Sequence, residues 1–390
     1  MGFEYKLSTK QYQVLDCEKF LMPSEISDCP NTLIPIPLVQ SVGDTVYCYN
    51  TRIGLVLGPV IGSGGEGTIY RINKSLACKI YKNEKLTVAK VEKLRLMISK
   101  PIRDPEICWP IDLVMNKQGA IIGYTMPSAK GFILSRVHNR TFMQENFPKW
   151  KKRDLVELAY TIASKINHMH ERNIIIGDIN TRNIMFNSST EVYFVDTDSY
   201  QIGSFPCPVG TNEFTCKEIL CSGSRFPDFL RDWGNENFSV AMLIFVLLMN
   251  GRHPYSYRGG EDTVSNIKKG LFPYPYETDK QFEDLIPSGN WKTLWQNFPQ
   301  YLKGAFYSTF SFRGNHNENG NRMGSESWVI VLYQYLDSLT RGRKTSLANE
   351  LFPGLLPIPK IAIKKAKSKV VMKASSYDNS LDKYNIRKRK

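Results

Sequence analysis

Several features are scarce or missing in these 390 residues, and each absence excludes a class of protein. The eight cysteines are scattered at 17, 29, 48, 78, 108, 207, 216 and 221, with no C-x-x-C pair. With five histidines in the whole chain, no Cys/His group has metal-ligand spacing, so neither a disulfide framework nor a zinc module is indicated. Reduced thiols and a cytoplasmic location are the expectation. The longest apolar run, Val240 to Met249, is ten residues, half of the ~20 that a bilayer requires, and no membrane partner is expected. The first residues, MGFEYKLSTK, contain no apolar signal core, so no secretory leader is expected. No internal repeat is present. What remains is ordinary globular material, 42% hydrophobic and 23% charged, which excludes a wholly disordered chain.

The net charge is +14, and its position matters more than its size. From Lys360 to Lys390 eleven Lys/Arg stand against two Asp/Glu, a net +9, so the rest of the chain carries only +5. Lys364, Lys365, Lys367, Lys369 and Arg387 to Lys390 make this tail a candidate for nucleic-acid phosphates. Only Tyr377 and Tyr384 interleave with the charges, so base stacking adds little, and a solvated terminus is the preferred reading.

Residues 1–50 form a mixed lead-in whose Pro35 and Pro37 suit extended chain. Residues 51–126 are rich in short β-like runs: Gly54–Ile61, Gly67–Ile72, Leu76–Tyr81, Ile111–Met115 and Ala120–Met126. One helix interrupts them at Leu86–Ser99, with Val88, Val91, Leu94 and Ile98 at helical spacing. Residues 127–345 are mainly helical, with helices expected at Arg153–Arg172, Phe238–Met249, Trp291–Leu302 and Ser325–Leu339. Two short strands are expected near Ile184–Phe186 and Val192–Val195, and a surface loop at Gly314–Gly324. Residues 346–390 are the basic tail. The fold class is α+β, with a small β-rich part followed by a larger helical part.

Three segments carry chemistry. In Ile61-Gly-Ser-Gly-Gly-Glu-Gly-Thr-Ile69, the glycines Gly62, Gly64 and Gly67 fit G-x-G-x-x-G. Strand-like residues flank both sides, so the loop reads as a hairpin tip over a ligand and not as the helix-opening turn of a dinucleotide fold. Lys79 follows in an apolar strand, where an ammonium is costly without an anion. Strand alternation leaves open a face toward water for it. Its expected carboxylate is Glu92 on the next helix, with Glu84 assigned to the connecting turn. The third segment places Asp178 and Asn183 five residues apart, and Asp196 follows eighteen residues later in Val-Asp-Thr-Asp-Ser. Two such oxygens with nucleotide phosphates suit Mg²⁺, which keeps several waters; an ordinary acidic turn is the alternative.

In this order and spacing the motifs resemble a protein kinase, and more narrowly the bacterial kinase-like proteins described as DNA-binding proteins with a kinase domain. The resemblance covers about residues 54–340. It implies a two-lobed fold with ATP·Mg²⁺ in the interlobe cleft. It places Ile61, Gly62, Gly64, Gly67, Ile69, Ala77, Lys79, Met126, Ser128 and Met185 at the nucleotide, with Thr125 to Ser128 as the hinge. It makes Lys79 and its partner Glu92 catalytic, Asp178 the group that takes the substrate hydroxyl proton, and Asn183 and Asp196 the metal ligands. Thr211 falls in the substrate loop, and Glu218 is expected to pair with Arg322.

The departures are equally specific. Ile176-Gly177 replaces His-Arg before the catalytic aspartate, Asn180 replaces a lysine, and Asp196-Thr-Asp198 replaces Asp-Phe-Gly. Glu236 stands where an aspartate is usual at a helix start. The implied function is ATP-dependent phosphorylation of Ser or Thr in a protein substrate. The rival, favoured by the absence of glycine at 198, is a nucleotide-binding pseudokinase that serves as a scaffold. Gly177 has no side chain to grip a phosphate on Ser199, Ser204, Thr211 or Thr215, so a segment ordered by packing around Phe205, Pro206 and Pro208 is expected, with activity independent of phosphorylation there.

Overall fold

The computed structural model describes residues 19–36, 40–259, 261–341 and 349–353. The basic tail lies outside them except for residues 349–353. The chain divides into two compact units, one built around residues 28–132 and 193–198, the other around 133–192 and 199–351. The transition near residue 127 expected from composition is close to this division, but residues 193–198 belong with the first unit.

The first unit is a seven-stranded antiparallel sheet: β1 (Thr45–Cys48), β2 (Gly54–Val56), β3 (Val60–Ser63), β4 (Gly67–Arg71), β5 (Leu76–Tyr81), β6 (Asp112–Met115) and β7 (Ile121–Pro127). The spatial order is β2-β1-β6-β7-β5-β4-β3. β1 lies in the stretch expected to be a lead-in; Val46 and Cys48 are buried and it pairs with both β2 and β6, so the sheet begins before residue 50. The expected strand at 54–61 is two, because Leu57-Gly58-Pro59 interrupts it. Gly58 lies so close to the Arg71 carbonyl that a Cβ there would sit 2.4 Å from its oxygen. β5 is central and buried on both faces, which is why it reads as a nearly continuous apolar run. Helix α1 (Val88–Ser99) starts at Thr87, whose hydroxyl accepts the Lys90 N–H at 3.2 Å.

Residues 193–198 are tied to the same unit by main-chain bonds. Phe194 N donates to Glu106 O at 2.8 Å, and Cys108 N donates to Phe194 O at 2.9 Å. The Thr197 hydroxyl donates to Cys108 O at 2.7 Å.

The second unit is helical: α2 (Arg140–Asn146), α3 (Lys152–His170), α4 (Lys217–Ser222), α5 (Trp233–Leu248), α6 (Thr263–Lys269), α7 (Trp291–Gln296), α8 (Gln300–Phe310) and α9 (Ser325–Arg341). α5 is buried almost all round, as its unbroken apolar run requires. Phe245 on α5 packs among Phe272, Tyr274, Phe306 and Phe310, with ring centroids 5.0–5.7 Å apart. α3 packs along α9. The helix expected at 291–302 is two, because Pro299 supplies no amide hydrogen and disfavours helix in the residue before it. The loop 314–324 is not simply a surface loop, since Asn317 and Arg322 within it are buried. The strands at Ile184–Phe186 and Val192–Phe194 form as expected. No described helix is long and apolar enough to cross a membrane, and the seven described cysteines carry free thiols.

Candidate functional site

In the sheet unit, the glycine segment is the β3–β4 hairpin, in register Gly62↔Ile69 and Ser63↔Thr68. The tip closes with Gly64 N donating to Gly67 O at 2.9 Å. Gly67 has to be glycine, because a Cβ would lie 2.5 Å from the Ile80 carbonyl oxygen. A Cβ at Gly64 or Gly65 would meet nothing within 4 Å, so the tip of the loop is open on that side. Ile61 and Ile69 flank the loop, and Ile61 is 40% exposed. Ala77 on β5 is paired with Met126 on β7, and both are buried. Ser128 is buried just past β7, where its N–H donates to Ser75 O at 2.9 Å.

Lys79 does not face water: it is 5% exposed. Its Nζ lies 2.8 Å from both carboxylate oxygens of Asp198 and 2.8 Å from Asp196 Oδ1. Glu66, in the glycine loop, is 3.9 Å away and is held by Lys90 at 2.6 Å. The expected partner Glu92 is elsewhere. It is half exposed and pairs with Arg95 at 3.4 Å. The reason is the phase of α1: Val91, Leu94 and Met97 set the buried face, and the residue after Val91 is turned about 100° away from it. Glu84 is in the connecting turn, with φ of 64°.

Asp198 is the residue that sequence reasoning missed. It is 3% exposed and also accepts hydrogen bonds from the Tyr81 hydroxyl at 2.6 Å and the Tyr124 hydroxyl at 2.8 Å. Burial opposes charge on both Lys79 and Asp198, but the pairing outweighs it. The lysine is held above its ordinary range and Asp198 below the usual carboxylate range. Asp196 has φ of 58° and a side chain 45% exposed. Desolvation raises its pKa, Lys79 opposes this, and the neighbouring charge of Asp198 adds to the rise. The available signals were a second acid where a flexible glycine was expected, and Tyr81 two residues from Lys79 on the same strand face.

In the helical unit, Asp178 sits just after the strand Ile174–Ile175. Its Oδ2 accepts from Asn183 Nδ2 at 3.0 Å, and its Oδ1 accepts from the Thr211 hydroxyl at 2.8 Å. Asn183 also donates to Asp178 O at 3.0 Å. Asn180 donates to Asp178 O and to Thr211 Oγ1, both at 3.2 Å. Glu236, 1% exposed, accepts the main-chain N–H of Ile176 at 2.7 Å and of Gly177 at 3.0 Å, anchoring the turn that carries Asp178. The Glu218–Arg322 pair is formed at 2.8 and 2.9 Å. Met185 is half-buried on the strand Ile184–Phe186.

Comparison with known proteins adds an independent line. Protein kinase YegI of Escherichia coli (strain K12) is 30% identical over 317 residues, 76% of this chain and 46% of the relative. Over about three quarters of its length the chain is similar to a protein kinase. Protein kinase YegI of Escherichia coli O157:H7 is 30% identical over 321 residues. Serine/threonine-protein kinase STY17 of Arabidopsis thaliana is 23% identical over 250 residues, 61% of this chain and 40% of the relative. This kinase-like chain therefore spans about half the length of the curated relatives it matches first. No family model matches it. The solved ROP18 kinase domain, in complex with AMP-PNP and sucrose, superposes with a TM-score of 0.53 at 14% identity, covering 76% of this chain and 84% of that one. The likeness supports the two-lobed kinase fold, with a curled antiparallel sheet and a helical region. The kinase part of the resemblance is carried by these matches; its DNA-binding detail is not.

Proposed function

We propose that the chain is an ATP-dependent protein kinase that transfers the γ-phosphoryl group to serine or threonine of a protein substrate. The observation that carries this reading is the state of Asp178. One carboxylate oxygen is held by Asn183, and the other accepts a hydroxyl, that of Thr211, at 2.8 Å. A substrate hydroxyl offered to the same oxygen would be oriented for attack as its proton moves toward the carboxylate. The γ-phosphorus–oxygen bond to ADP breaks as the new bond to the hydroxyl oxygen forms.

The residues fit the nucleotide and metal that this reaction needs. The open space at Gly64 and Gly65 leaves room for phosphates to approach the loop, and Lys79 on β5 is held protonated. Mg²⁺ takes few protein oxygens and completes its shell with phosphate and water. Asn183 and Asp196 are the proposed ligands, and the ion would neutralise charge developing on the phosphates. The protein substrate is assigned by chemistry only, as a hydroxyl-bearing side chain.

The pseudokinase reading has one observation in its favour. Lys79 already spends its charge on Asp196 and Asp198, so a nucleotide must compete for it. Incubation with labelled ATP and Mg²⁺, wild type beside Asp178→Ala, decides between them. Transfer in the wild type alone supports the kinase. Nucleotide binding by both with transfer by neither supports the scaffold.

A further inference from the structure

Gly177, which precedes Asp178, is in the left-handed region at φ of 77°. A Cβ there would lie 2.6 Å from Cys207 Cβ, 2.7 Å from its Sγ and 2.9 Å from Nη1 of Arg231. Gly210 is equally crowded. A Cβ on it would be 2.5 Å from the Phe226 ring and 2.9 Å from Nη2 of the same arginine. Two glycines far apart in sequence thus make room for one guanidinium.

Arg231 is 4% exposed. Nη1 donates to Cys207 O at 2.9 Å and Nη2 donates to Val209 O at 2.7 Å. The rings of Phe226 and Phe229 lie 4.9 and 5.8 Å from its central carbon. Its main chain is held as well: Arg231 N donates to Gln201 Oε1 at 2.7 Å, and Gln201 Nε2 donates to Arg231 O at 2.9 Å. Gln201 is itself paired with Ile175, on the strand that leads into Gly177 and Asp178. The two carbonyls that Arg231 binds precede Gly210 and Thr211, and Thr211 donates to Asp178 Oδ1.

We propose that Arg231 is a positioning residue that staples residues 207–211 against the Asp178 turn, so that this segment is ordered without a phosphate on it. A buried guanidinium needs acceptors for its donors, and here the segment's own carbonyls provide them. The fork geometry of arginine reaches two carbonyls at once, which a single ammonium does not reproduce. A consequence for phosphoryl transfer rests on the kinase reading above; the ordering of the segment does not.

The test uses full-length protein treated with phosphatase and checked by intact mass. Hydrogen exchange is followed at the Phe205, Phe214 and Thr215 amides, which border residues 207–211 on either side and are hydrogen-bonded to Ile202 O, Thr211 O and Asn212 O at 2.8–3.0 Å. Dephosphorylated wild type should remain protected. Arg231→Met and Arg231→Lys should each exchange there at least tenfold faster. In the same variants kcat for a protein substrate should fall at least tenfold, while the nucleotide Kd stays within twofold. Gly210→Ala, which crowds Nη2 without altering Arg231, should reproduce the faster exchange and keeps the test valid if Arg231→Met does not fold. Unchanged exchange in Arg231→Lys and Gly210→Ala, or fast exchange in dephosphorylated wild type, overturns the proposal. A wild type that transfers no phosphate refutes the kinase reading alone, because exchange still decides the staple.

Discussion

Replacing Asp198 by asparagine keeps the shape of the side chain and removes its charge, so it isolates what the carboxylate does for Lys79. The ammonium would retain Asp196 at 2.8 Å and Glu66 at 3.9 Å, but lose an anion whose two oxygens are each 2.8 Å away. Removing one member of a buried pair costs about 3–5 kcal/mol, because the other charge is left uncompensated. Asp196 remains here, which sets the lower end, about 3 kcal/mol. The hydroxyls of Tyr81 and Tyr124 would then donate to a neutral acceptor, a loss of up to about 1 kcal/mol each. The expected destabilisation is therefore about 3–5 kcal/mol. Glu92→Gln breaks only a pair at 3.4 Å whose side chains are 38% and 50% exposed, for which about 0–0.5 kcal/mol is expected.

Urea titration of both variants at pH 7 measures these differences. The pair does not titrate near that pH. The lowered pKa of Asp198 gives stability that is present above its unfolded value of ~3.9 and lost as pH falls through the folded value. The raised pKa of Lys79 gives stability that is complete below ~10.4 and lost only as pH rises beyond that. A double-mutant cycle of Asp198→Asn with Lys79→Met should show a coupling of about 2–3 kcal/mol. Phosphoryl transfer should fall about a hundredfold in Asp198→Asn, equivalent to ~2.7 kcal/mol in the barrier, and stay within twofold in Glu92→Gln. The reasoning is refuted if Asp198→Asn lies within 1 kcal/mol of wild type, or if Glu92→Gln loses as much activity as it does.

Three further outcomes are expected. ATP·Mg²⁺ at about a hundred times its Kd should stabilise the protein by ~2.7 kcal/mol, seen as a higher melting temperature, with a smaller gain in Lys79→Ala; no shift at millimolar nucleotide would count against both kinase and scaffold. Asp196→Ala should abolish transfer by removing a metal ligand, and a substrate labelled as fast as by wild type would show that the metal assignment is wrong. Lys152 is 2% exposed and donates to the Leu248 carbonyl at 3.0 Å, and burial pushes its pKa down to about 7. Between about pH 7 and 10 the unfolded chain binds a proton that the folded chain does not, so wild-type stability should rise with pH relative to Lys152→Met, by up to ~4 kcal/mol; parallel pH profiles in chemical denaturation would contradict this.

What was legible in the sequence was mostly local. β5, α1 and α5 follow from runs and periodicities of neighbouring residues, and the expected and observed bounds differ by a few residues. Two of the differences have local causes too. Pro299 breaks the helix expected at 291–302, and the phase set by Val91 and Leu94 already turns Glu92 outward. The other gaps are of a different kind. A lysine in an apolar strand demands a carboxylate, and that demand is readable; which carboxylate answers is not, because Asp198 lies 119 residues away and competes with Glu66, Glu92 and Asp196 on equal terms in one dimension. The family resemblance resolved that competition by analogy and chose the helix. The fold resolved it by burial: Asp198 is enclosed with Tyr81 and Tyr124 beside the lysine, while Glu92 is solvated. The same reasoning explains Gly177. Read alone, it marks a lost arginine. Read with Gly210 and Arg231, it marks the space into which another arginine, 54 residues downstream, has been placed. A departure from a motif thus shows that the usual partner is gone, and only the packing around the vacated position shows what has taken its place.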